Sequence, residues 1–122
     1  MPYTDPVVPA ALSGAADFKS TAVDHNGRAV KGSAGRLVAL AIDNSANDSA
    51  VTYIKGYDSA GPVVGTDVPA LIIGAPGGWS GVVLMKTVSF ATAITVAGVT
   101  AGGTGGVTDP VGSTPVRALA AT

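Results

Sequence analysis

The chain has 122 residues, enough for one domain that buries about two-thirds of its unfolded surface without help from disulfides or metal. Seven Lys or Arg stand against eight Asp, spread singly, for a net charge of −1; no basic stripe of the kind nucleic-acid binders carry is present. Cys, Glu and Gln are absent while Gly numbers 17 and Pro 8, which excludes thiolate chemistry and argues against a helical fold.

Residues 1–17 read as an extended arm. Pro2, Pro6 and Pro9 each fix a backbone angle, remove an N–H donor and bias the residue before them toward extended structure. The stretch lacks the basic start and apolar run of a signal peptide. Two readings stay open, an arm docked on another surface and a disordered terminus. Tyr3, Pro6, Val7, Val8 and Leu12 are the candidate protein-contact residues of a docked arm, because a purely solvating tail carries fewer apolar groups.

From Phe18 onward the chain reads as strands and turns, and residues 18–122 as a single β-sandwich domain. Phe18 to Val23 is the first candidate strand, and Asn26-Gly27 predicts a two-residue hairpin turn into Arg28 to Gly32. Arg36 to Asn44 (RLVALAIDN) is apolar on both faces, so it is expected to be central and covered on both sides. A polar loop follows, then Ala50 to Tyr57, in which Val51, Tyr53 and Lys55 share one face and Thr52, Ile54 and Gly56 the other. Val68 to Ile73, Gly81 to Met85 and Val88 to Val96 complete the clear strands, with a loose connection over residues 74–78. Residues 98–115 are low in complexity and dominated by Gly and Thr, and Val116 to Ala121 reads as an edge strand or a loose tail. Strands about ten residues apart with polar turns give an all-β fold, an antiparallel β-sandwich, with the jelly roll among its connectivities.

Catalytic chemistry finds little footing. The single histidine, His25, falls in a turn, and no Ser lies in a G-x-S-x-G elbow. A carboxylate pair would have to come from Asp17, Asp24, Asp43, Asp48, Asp58, Asp67 and Asp109, each in a predicted turn or strand end, where Asp serves the backbone. Asp43 to Asp48 places oxygen donors at alternate positions but lacks the glycine and the bidentate Glu of a calcium-binding EF-hand loop. No glycine-rich stretch has phosphate-loop spacing. The chain is therefore read as a non-enzyme with no metal and no cofactor. Trp79 is the one aromatic singled out for recognition, with the competing reading that it caps the end of a thin core.

Three segments carry a resemblance. KGSAGRLVALAIDN, TYIKGYDSA and VVGTDVPALIIGAP resemble small β-sandwich virion proteins of tailed bacteriophages, of the capsid decoration (cement) or head-fibre type. The matching residues are Lys31, Ser33, Ala34, Gly35, Leu37, Asn44, Tyr57 and Asp58, then Gly65, Thr66, Asp67, Pro69 and Leu71. Val88 to Ile94 is similar to a further strand of such proteins, with Ala93 where they usually carry Gly. The resemblance covers Lys31 to Val96 and rests on turns and strand ends rather than on a site. It implies a structural protein made in the host cytoplasm and carried on the outer capsid surface. Its implied partners are the major capsid protein and two further copies of itself in a homotrimer, with neither nucleic acid nor membrane involved. The competing expectations are a head or tail fibre attachment module and a carbohydrate-binding sandwich, the latter built on Trp79 with Asp67.

Overall fold

A computed structural model describes residues 16–121. Eight strands form: β1 (Ala16–Ser20), β2 (Arg28–Lys31), β3 (Gly35–Asp43), β4 (Thr52–Tyr57), β5 (Leu71–Ala75), β6 (Ser80–Phe90), β7 (Ile94–Val99) and β8 (Val116–Ala121). They make two four-stranded sheets in the orders β1-β8-β3-β6 and β2-β7-β4-β5, with every pairing antiparallel. Only β4 and β5 are joined as neighbours within one sheet; every other connection passes from one sheet to the other. That wrapping is the jelly-roll form of the β-sandwich.

The residues that fill the sandwich follow the period of two except at Val38, where a register shift brings Leu37 and Leu40, three apart, to the same face. Leu37, Leu40 and Ile42 of β3, Ile54 of β4, Ile94 and Val96 of β7, and Val116, Ala118 and Ala120 of β8 all point inward and are buried. Phe90 is the one buried phenylalanine among them, so the core is thin and made mostly of aliphatic groups. Gly98 is required here, since a Cβ at that position would run into Val23 across the core.

Several boundaries differ from the sequence expectation. The Asn26-Gly27 turn is not a hairpin: β1 pairs with β8 and β2 with β7, so the segment between them crosses from sheet to sheet. Neither residue adopts the positive φ that a two-residue hairpin turn demands; the N–H of Asn26 donates to Asp24 Oδ1 at 2.9 Å instead, an Asx turn. The run from Val88 to Val96 breaks at residues 91–93, where Asp58 accepts the backbone N–H groups of Ala91, Thr92 and Ala93; its first part extends β6 and its second begins β7. β8 is neither an edge nor a tail, because it lies between β1 and β3. Asp17, assigned to the arm, belongs to β1 and pairs with Arg117.

One end of the sandwich is closed by a buried amide cluster. Asn44 Nδ2 donates to the carbonyls of Ala50, Ala75 and Pro76, and Asn44 Oδ1 accepts from Asn47 Nδ2 and Thr52 Oγ1. Asn47 reaches on to Gly112 and Thr114. The segment with calcium-like spacing thus turns its two asparagines inward to hold three loops together. The connection over residues 74–78 is correspondingly tight: Gly78, at φ +78°, donates its N–H to the carbonyls of Asn44 and Asn47.

Candidate functional site

The two sheets differ in what lies over their outer faces. On the β2-β7-β4-β5 sheet the outward side chains Tyr57, Thr95, Ala97 and Val99 are buried, as is Lys55 at 0% exposure. Two loops cover them. Residues 58–70 lie over one part, held where Thr95 Oγ1 donates to the Ser59 carbonyl. Residues 100–115 lie over the rest, where Lys55 Nζ donates to the carbonyls of Gly103 and Gly106. Gly102 passes so close to the Tyr53 ring that a side chain there would press on it. Burial pushes the Lys55 ammonium below its usual pKa, since no carboxylate is among its hydrogen-bond partners to offset the lost hydration. Burial and the nearby Asp67 charge push the Tyr57 phenol up.

The outer face of the β1-β8-β3-β6 sheet carries no such cover among the described residues. Register fixes its composition row by row. One row reads Lys19, Arg117, Ala41, Val82 and the next Asp17, Leu119, Ala39, Leu84. Ala39 and Ala41 are the lowest side chains and form a trough, with Leu119 and Arg117 on one flank and Val82 and Leu84 on the other. Val82 is 61% exposed and Leu84 80%. A shallow depression of about 490 Å³ runs from this trough to the sheet end at Asp43, Ser80 and Pro115.

Polar groups sit at the margins of the trough. Arg117 donates from Nε and Nη2 to both carboxylate oxygens of Asp17, at 2.9 and 2.6 Å, which holds Asp17 below the usual carboxylate range. This fork fixes the long arginine side chain along the β1 flank. Asp43 is lowered by hydrogen bonds from the Ser45 hydroxyl and N–H. The floor has apolar groups and the rim has charges of both signs, which is the make-up of a protein–protein contact.

Trp79 is placed away from this face. Its side chain is half-buried against the core, its ring lies over Gly81, and its carbonyl accepts from Asn44 N–H at 2.8 Å. It caps the core end. Asp67 accepts from Val63 N–H and stands before β5 while Trp79 stands after it, so the two lie toward opposite ends of a five-residue strand. The pairing on which the carbohydrate expectation rested is not assembled. The other candidate contact residues, Tyr3, Pro6, Val7, Val8 and Leu12, lie outside the described residues.

His25 is exposed, and its ring Nδ1 lies 2.7 Å from Asp109 Oδ1, which also accepts the His25 backbone N–H. These contacts tie the glycine-rich loop to the β1–β2 crossing. Among the described residues no three His, Cys, Asp or Glu side chains gather as a metal site would require.

The sequence missed the trough residues because β3 was expected to be covered on both sides. β3 is central, yet its outward side chains are only half-buried and no described loop covers them; the strand buried on both faces is β7. The signal available was residue size: large Leu37, Leu40 and Ile42 mark the covered face, and Ala39 and Ala41 the open one.

No protein-family description, no curated protein and no solved structure matches this chain.

Proposed function

We propose that this protein is a structural docking module whose partner is another protein chain, and that its setting is the outer capsid surface of a tailed phage. The observation that carries the docking reading is the trough that no described loop covers, Ala39 and Ala41 between Val82, Leu84 and Leu119. Exposed apolar groups gathered on one rigid sheet face, rimmed by fixed charges, mark a contact surface. The virion setting draws its support from the sequence resemblance over Lys31 to Val96 and from a jelly-roll wrapping shared with many capsid domains. Fold alone does not assign function, so the setting stands on the resemblance and the docking on the face.

Such a role asks for a rigid body and one adhesive face. The core, the Asn44 cluster and the loops fastened over the second sheet supply the first, and the trough the second. The experiment is to mix the purified protein with undecorated phage capsids and follow binding by sedimentation and electron microscopy. The proposal expects stoichiometric binding and ordered density on the outer shell. Absence of binding would reject the capsid setting, and density on fibres alone would transfer the module to an attachment role.

A further inference from the structure

A sandwich of this kind has four edge strands, and a bare edge is a template for another strand unless something blocks it. Three of the four are blocked here. β1 carries Asp17 and Lys19 within five residues. β2 has only four residues, Arg28 and Lys31 among them, and its pairing shifts register between Ala29 and Lys31. β5 has five residues and lies between Pro69 and Pro76.

β6 is different. It is the longest strand, 11 residues, and only β3 pairs with it among the described residues. Its second half is protected: Met85, Lys86 and Thr87 stand opposite the single Val38, a bulge that bends the edge. Its first half, Ser80 to Leu84, pairs with β3 in unbroken register and contains no charge and no proline. Two of its five residues are the exposed Val82 and Leu84.

We infer that β6 is a self-association edge, along which a second copy of this chain adds its own β6 antiparallel about a two-fold axis at Val82. The register follows from geometry. Opposed residues in an antiparallel pair lie on the same face, so a two-fold axis normal to the sheet must lie midway between a residue and its own copy directly opposite. Val82 is the middle of the regular segment. Centred there, Val82 meets the partner's Val82 on the outer face, Gly81 meets the partner's Val83 on the inner face, and Ser80 meets the partner's Leu84. No like charges face one another, and Gly81, which lies under the Trp79 ring, sets no side chain of its own against the partner's Val83.

The pairing also addresses an area problem. Four strands at about 4.8 Å spacing, about five residues long, span roughly 300 Å² of outer face, well under the approximately 800 Å² per partner of a standard interface. A two-fold normal to the sheet keeps both troughs on the same side and joins them into one face of about 600 Å². An extended stretch from residues 1–9 is a poorer occupant, since Pro2, Pro6 and Pro9 each lack the N–H a ladder requires.

The inference does not rest on capsid binding, and either can fail without the other. The test is sedimentation of the full chain over a concentration series, together with disulfide trapping. The chain has no cysteine, so Val82→Cys introduces a single thiol, and residues facing across an antiparallel pair have the Cα separation a disulfide accepts. The expected result is a concentration-dependent dimer, weakened about tenfold or more by Val82→Lys, which sets like charges opposite each other. Val82→Cys is expected to cross-link under mild oxidation far faster than Val111→Cys, a control at a 99% exposed loop position. A monomer at all concentrations, a trimer, or equal cross-linking of the two cysteine variants would overturn it.

Discussion

The two outer faces of this sandwich each carry alanine and valine among larger side chains, and they end in different states. On the β2-β7-β4-β5 sheet, Ala97 and Val99 are fully covered by loops, and even a lysine is drawn in beneath them. On the β1-β8-β3-β6 sheet, Ala39 and Ala41 remain open between exposed Val82 and Leu84. What separates them is connection length: 16 residues of Gly- and Thr-rich chain join β7 to β8, long enough to cross a sheet, whereas the chain from β2 to β3 turns in three. Loops of the chain thus cover one face, and no described residue outside the sheet covers the other.

If Lys55 fastens the loop over the second sheet, Lys55→Ala should have the largest effect. It removes a buried stem and leaves two carbonyls without their donor, a loss of about 2–4 kcal/mol by chemical denaturation. Lys55→Met keeps most of the stem and should lose less. A cost under about 0.5 kcal/mol for Lys55→Ala would mean the loop holds without it.

Gly65 comes next. It sits at φ +95° in the other covering loop, and a Cβ there would collide with Val107, so Gly65→Ala should cost about 1–3 kcal/mol. Thermal unfolding reads this directly. An unchanged melting temperature would show the two covering loops to be independent.

Acid sharpens the comparison further. Asp109 and Asp58 both have folded pKa values below the ordinary 3.8, the first through hydrogen bonds from the His25 N–H and ring, the second through the N–H groups of Ala91, Thr92 and Ala93. The unfolded chain therefore takes up protons first. The stability each group contributes is present above its unfolded value and is lost as pH falls through its folded value. Asp109→Asn should flatten the acid limb of the stability curve below about pH 4 relative to wild type. An identical acid limb would show that the tie between the loop and the β1–β2 crossing adds nothing to stability.

The smallest effect is expected on the bare face. Val82→Ser with Leu84→Ser removes exposed groups and should change stability by less than about 0.5 kcal/mol per site. In protein dilute enough to be monomeric, a larger loss would mean that these side chains serve the fold rather than a partner.

Much of the fold was legible in the residues, because period-two alternation and glycine-marked turns are local. β2, β3 and β4 fall within two residues of where the sequence places them. Sheet membership was not legible. Asn26-Gly27 has the chemistry of a hairpin, but the core draws β1 and β2 to different sheets, and that preference is set by β7 and β8, some 70 to 90 residues further on. β8 looked peripheral because Ala dominates it, yet small side chains suit a strand whose inward residues meet a thin core. The trough was hidden for a similar reason: Ala39 and Ala41 read as apolar, and only the register that sets them between Leu119, Val82 and Leu84 brings them together.

The covered side is not free of exposed apolar groups, with Val68 at 79% and Val111 at 99% in its loops. The decisive measurement therefore compares the two sides in one capsid-binding assay. Val82→Ser with Leu84→Ser is expected to abolish co-sedimentation with undecorated capsids, while Val68→Ser with Val111→Ser leaves it at the wild-type level. Retained binding in the first pair with loss in the second would contradict this and move the contact surface to the loops over the second sheet.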